Sequence, residues 1–138
     1  MTKEFQVVDV WLCRFPSVEA VDAYFEETYD EENYDRPISQ FAADMGERFY
    51  DHDYIERGDF HEPPVSDVAR VVALHSFSSS YLSQVVEAFR LKPFAPFNTV
   101  LLVWNREIAH PVSIAKPGRT LHYLGRFSSD PAAETAGK

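Results

Sequence analysis

Apolar and polar positions alternate along this chain with two different periods, and the changes of period mark its elements. Phe5-Gln6-Val7-Val8-Asp9-Val10-Trp11-Leu12-Cys13 is rich in β-branched and aromatic residues and nearly apolar on both faces. That pattern predicts a central strand over 5–13. Pro16 closes it. Ser17 then reads as a helix N-cap, with Glu19 in the first turn, where the helix dipole favours an acid. Val18, Val21, Tyr24, Phe25 and Thr28 recur at helical spacing and predict an amphipathic helix over 17–29.

Residues 30–37, DEENYDRP, are too charged to bury and read as a loop. Ser39 caps a short predicted helix over 39–45, with Phe41 and Met45 as its apolar stripe and Gly46 at its end. From Glu47 to Glu56, large apolar residues are mixed with charges without a clean period, so strand and helix both remain open there. Val65 to Leu74 predicts a helix capped by Ser66, with a short valine-rich strand as the alternative. The serine cluster at 76–80 interrupts helices by bonding backbone N–H groups, and a further helix is predicted over 80–90. Asn98 to Asn105 carries the clearest strand pattern in the chain. Weaker ones follow at 112–115 and, alternating and half-exposed, at 119–127. The expected fold is α+β, with a small, mostly antiparallel sheet packed by helices in one domain over 1–127. A small, polar, flexible tail is expected over 128–138. Trp11, Phe15, Phe25, Phe41, Val100, Leu102 and Trp104 are the expected core.

Composition supports one core: 138 residues with 45% hydrophobic side chains are enough for a self-sufficient domain. No stretch approaches the ~18 apolar residues of a membrane helix, and the N-terminus lacks the pattern of a signal peptide. With a single cysteine, Cys13, in an apolar run, the expectation is a cytoplasmic protein with no internal disulfide.

Charge changes the picture more. The formal net charge is −9, and it is concentrated: residues 26–62 hold thirteen acids against Arg36, Arg48 and Arg57, a local excess of −10. Such a field repels nucleic acid and anionic membranes and attracts a basic protein or a cation. The tyrosines Tyr29, Tyr34, Tyr50 and Tyr54 are interleaved with those acids. Tyrosine is a favoured interface anchor, and surrounding carboxylates steer a basic partner. The expected partner-binding residues are therefore Asp30, Glu31, Glu32, Tyr34, Asp35, Asp51, Asp53 and Glu56.

Catalytic chemistry finds less support. His52 with Asp51, Asp53 and Glu56 is the densest set of metal-capable side chains and defines the alternative, a small metal-dependent enzyme. The spacing matches no calcium loop. There is no G-x-S-x-G and no glycine-rich phosphate loop. The expectation is a non-enzymatic binding protein without cofactor or metal; a regulatory domain with some other protein partner is the remaining alternative.

A set of motifs also carries a family resemblance: W-L-C-R-F-P-S (11–17) with the helix after it, S-Q-F-A-A-D-M-G (39–46), Y-D-H-D-Y-I-E (50–56), H-S-F-S-S-S-Y (75–81) and N-T-V-L-L-V-W-N (98–105). In this order and spacing the chain resembles bacterial immunity protein 22, a family linked with polymorphic toxin systems. The resemblance implies an immunity protein that protects its own cell by binding and blocking a cognate toxin domain. Many toxins of such systems are nucleases with basic clefts, which the acidic block would fill as a phosphate-like decoy.

Overall fold

The computed structural model describes residues 6–33 and 35–137. Five antiparallel strands form one sheet in the order β2-β3-β1-β5-β4. They are β1 Gln6–Arg14, β2 Ile55–Arg57, β3 Thr99–Trp104, β4 Ile114–Lys116 and β5 Arg119–Ser129. Among the described residues four α-helices join them: α1 Val18–Phe25, α2 Gln40–Asp44, α3 Val68–Val72 and α4 Leu82–Leu91. This is the α+β architecture that the residue pattern predicts.

β1 is central because it can bury both faces. Trp11 and Cys13 point to one side, with Leu101 and Val103 of β3 and Leu121 of β5; Phe41, Tyr24 and Met45 from the α1–α2 region cover them. Val8, Val10 and Leu12 point to the other side, where Val100, Leu102 and Trp104 meet Val71, Val72, Tyr81 and Val85 from the α3–α4 region. Period-2 alternation thus feeds two cores from one strand. Among the described residues no helix exceeds ten residues, too short to persist alone in water, so this packing holds them.

A bulge in β5 changes which side chains face which layer. Val10 pairs with Gly125 but Trp11 pairs with Tyr123, leaving Leu124 as the extra residue. The parity flips there: Leu121 and Tyr123 pack with the α1–α2 layer, Leu124 and Phe127 with the α3–α4 layer. Gly125 stands at φ +150, and a Cβ on it would lie 3.1 Å from Phe127 Cζ. Gly125→Ala is therefore expected to cost about 1–3 kcal/mol in denaturant unfolding, from strain at that backbone conformation. A loss under about 0.5 kcal/mol would show that the bulge tolerates a side chain.

Several boundaries differ from the sequence expectation for local reasons. α1 stops at Phe25 rather than near residue 29, because Glu26 is extended (φ −60, ψ 125) and Thr28 donates instead to Ile38 O at 2.7 Å. α3 is capped by Asp67, whose side chain accepts from Arg70 N, not by Ser66; Val65 leaves the helix to bridge Phe97. The undecided stretch 47–56 resolves into a 3-10 turn, His52–Tyr54, and the edge strand β2. Ser17 and Ser39 cap α1 and α2 as expected. Phe5, expected to start β1, lies outside the described residues. In the C-terminal stretch, expected to fray, Asp130 N donates to Ser80 Oγ, Ala136 N to Ser78 Oγ and Gly137 N to Ala73 O. The serine hydroxyls and the Ala73 carbonyl at the end of α3, which also accepts from Ser78 Oγ at 2.8 Å, supply those partners.

Candidate partner-binding surface

The acidic block folds into two adjoining segments. The loop after α1 is closed on itself by the Thr28 bond to Ile38 O, and Ile38 N donates to Arg48 O at 3.0 Å. That second bond sets the loop against residues 47–54. Asp30 Oδ1 accepts from Glu32 N at 3.0 Å, which turns the loop, and Arg36 stands 3.7 Å from Asp30. In the facing segment, Tyr50 is the buried anchor, its hydroxyl 2.9 Å from Ser39 Oγ. Glu107 Oε1 accepts from Asp51 N at 2.7 Å, and Asp51 accepts from Asp53 N to cap the 3-10 turn.

His52 ties the two segments together. Its Nδ1 lies 3.3 Å from Glu27 Oε1 and its Nε2 3.6 Å from Asp53. The Glu27 hydrogen bond and charge raise its pKa, with Asp53 and Asp51 adding to the effect. Tyr29 donates its hydroxyl to Glu27. This bond is the main reason the phenol is pushed up to about 12.

Between the segments lies a cleft of about 180 Å³, lined by Thr28, Tyr29, Asp30, Glu31, Asn33, Arg36, Ile38, Arg48 and Phe49. Its two aromatic walls are open to solvent, Tyr29 at 62% and Phe49 at 53%. Exposure of that order is unusual for a phenylalanine, and paired with a tyrosine at a cleft mouth it suits contact with another protein.

The eight residues expected to bind a partner separate into groups. Asp30 and Glu31 line the cleft; Glu32 and Asp35 are exposed on the same loop. Asp51 and Asp53 stand on the facing segment. Tyr34 lies outside the described residues. Glu56 is elsewhere: it sits on β2 opposite Leu102, on the α3–α4 side, with Oε2 2.6 Å from His75 Nδ1 and 3.0 Å from Ser76 N. Burial pushes its carboxyl up, but those bonds outweigh it and hold the group below its ordinary range. Asp44, another acid of the block, is consumed internally by Arg119, Lys116 and Tyr24. Phe49, Ile38 and Glu27 were not singled out as site residues from the sequence, and His52 only as a candidate metal ligand. The one available signal was the lack of a clean period where large apolar residues mix with charges over 47–56.

The metal-enzyme alternative loses its ligand set. His52 is engaged by Glu27 and Asp53, Glu56 belongs to His75 across the sheet, and among the described residues no group of three or more His, Cys, Asp or Glu is placed to hold a metal ion. Cys13 is fully buried, and burial pushes its thiol far above the ordinary range, which leaves it unreactive. Among the described residues no helix is long and apolar enough to cross a membrane.

Comparison with known families decides the kinship. The family model described as Immunity protein 22 matches residues 8–130. The chain belongs to the Immunity protein 22 family. The match runs through all five strands, and in this member of the family it covers the whole cleft, both acidic segments and the Glu56–His75 pair. It ends at Asp130, the first residue of the stretch that docks on the serine cluster. Searches of curated proteins and of solved structures returned no match.

Proposed function

We propose that this Immunity protein 22 member neutralises a cognate toxin by stoichiometric binding in the cytoplasm, and that the Tyr29–Phe49 cleft with its acidic rim is the contact surface. One observation carries the reading: two exposed aromatic walls share a cleft with Asp30, Glu31, Arg36 and Arg48, on a loop whose Glu32 and Asp35 are also exposed and in a part of the chain with a −10 charge excess. The aromatics supply contact area, and the carboxylates steer a partner of opposite charge. A toxin with a basic substrate cleft, such as a nuclease, fits that surface, and the carboxylates then stand where phosphates would. Nothing in this mode requires the immunity protein to react. It excludes substrate.

Glu56 and Asp44 do not take part in this surface, since His75 and Arg119 already hold them. The test is reversal of Glu31, Glu32 and Asp35 to lysine, with the toxin encoded beside the gene as partner. Affinity is expected to fall by at least about 100-fold at low salt, and the effect shrinks as salt rises, because much of it is long-range steering. Co-expression of the triple variant should fail to rescue growth or to co-purify the toxin. Its melting temperature should be nearly unchanged, as all three side chains are exposed. Full affinity in the triple variant would move the interface off this loop.

A further inference from the structure

The cleft between Tyr29 and Phe49 is apolar at its centre, and this restricts what a partner can place there. Ile38 forms its floor, with only 5% of the residue exposed. The backbone of that floor is already bonded on both sides: Ile38 N donates to Arg48 O at 3.0 Å, and Ile38 O accepts from Thr28 N at 2.7 Å. Of the two walls, Phe49 has no polar atom on its side chain, and Tyr29 donates its hydroxyl to Glu27. A polar group pushed to the floor would exchange water for two rings and an aliphatic side chain.

The charged lining is balanced. Asp30 and Glu31 stand with Arg36 and Arg48, and Arg36 lies 3.7 Å from Asp30. Two acids and two bases leave no net charge inside, so a lysine or arginine head group entering the cleft gains no counter-charge and meets two cations. The acidic excess begins outside, at Glu32 and Asp35, which are exposed on the same loop. Size narrows the occupant further. The volume of about 180 Å³ falls below the roughly 300–1,000 Å³ of small-molecule and cofactor sites, and leaves room for one side chain.

We propose that the cleft takes one apolar side chain of the partner, of leucine to phenylalanine size, carried between basic residues that meet Glu32 and Asp35 outside. This rests on the cleft being the contact surface and assigns two tasks within it. Apolar burial in the cleft holds the complex together, and the carboxylates outside speed its formation.

Capped pentapeptides Lys-Lys-X-Lys-Lys, with X phenylalanine, leucine, alanine or arginine, are titrated into the full chain at physiological salt. Binding is followed by NMR at the Ile38 methyl groups and the Phe49 ring. The phenylalanine and leucine peptides are expected to shift both signals saturably and to bind about tenfold more tightly than the alanine peptide. An arginine peptide that binds as tightly as the phenylalanine one would assign the cleft to a guanidinium stacked on the rings and overturn the proposal, as would four equal affinities. Against the toxin encoded beside the gene, Phe49→Ala is expected to weaken affinity by about 30-fold at low and high salt alike, unlike the lysine reversals, whose effect shrinks with salt. Phe49→Leu should keep most of the affinity. Neither change should move the melting temperature much, because the Phe49 ring is exposed. Full affinity in Phe49→Ala beside a loss in the triple lysine variant would remove the anchor and leave the contact surface standing. Full affinity in both would remove the contact surface itself, and the anchor with it.

Discussion

Replacing Asp9 with alanine is expected to destabilise the protein by about 3–5 kcal/mol. Asp9 interrupts the apolar run of the central strand and is fully buried. It survives there because the cross-strand register places Arg126 directly opposite. Arg126 Nε donates to Asp9 Oδ1 at 3.0 Å and Nη2 to Oδ2 at 2.9 Å, and the Tyr123 hydroxyl donates to Oδ1 at 2.6 Å. Both lone-pair sets of the carboxylate are used, which is the condition for burying a charge at tolerable cost. Removing the acid leaves a guanidinium, 30% exposed, and a phenol facing an apolar layer. The phenol is already pushed well above its ordinary range by burial and by the Asp9 bond. Urea unfolding of the wild type, Asp9→Ala, and an Asp9→Leu/Arg126→Leu double variant checks this. The single variant should lose most, and the double should recover much of the loss, since an apolar pair strands no charge. A single-variant loss under about 1 kcal/mol would mean that Arg126 escapes freely to water.

The second large effect is expected on the other buried carboxylate and has a pH signature. Asp44 ends α2 with its side chain 1% exposed, gripped by Arg119 at 2.7 and 3.0 Å, by Lys116 at 3.3 Å and by the Tyr24 hydroxyl at 2.7 Å. One carboxylate thereby joins α1, α2, β4 and β5. Burial alone would raise its pKa; the Arg119 and Tyr24 hydrogen bonds outweigh burial and hold it at about 2, against an ordinary value of 3.8. A carboxyl with a depressed native pKa contributes stability that is complete above the unfolded value and lost as pH falls through the native one. The window therefore runs from about pH 4 down to about pH 2, and the contribution lost across it is about 2 kcal/mol. Asp44→Asn should flatten that limb of the stability curve and cost about 3 kcal/mol at neutral pH, because Arg119 then has no counter-charge. An asparagine variant with the wild-type slope between pH 4 and pH 2 would assign the acid sensitivity to other groups.

Asp44 and Glu56 show why a charge count does not define a surface. Asp44 belongs to the acidic block, yet it serves the interior. Glu56, which the sequence places with Asp51 and Asp53, faces the opposite layer, because Ile55 and Glu56 alternate across β2 and Glu56 pairs with Leu102. The loop acids Asp30, Glu31, Glu32 and Asp35 do remain outside. In residues 30–37 charges outnumber apolar groups so heavily that no register could bury them, and this much was readable in advance. Phe49 was the opposite case. Of the adjacent aromatics Phe49 and Tyr50, either could anchor the segment, and only the fold buries Tyr50 and leaves Phe49 outside, 53% exposed.

By itself the sequence determined what depends on near neighbours: the strand pattern of β1 and β3, the Ser17 and Ser39 caps, the break at the serine cluster, the location of negative charge, and the ordered motifs of the Immunity protein 22 family. Periodicity and capping act within a few residues, so they can be read from the chain alone. Tertiary structure decided everything that joins distant positions. The Asp9–Arg126 pair spans 117 residues, Asp44–Arg119 spans 75, and Glu56–His75 spans 19. Glu56 depends on the register of β2 with β3, and the Asp9–Arg126 pair depends also on the bulge beside Gly125 that reverses which side chains face which layer. The role of each of these three carboxylates is set by the cation or donor that the fold brings to it from a distant part of the sequence.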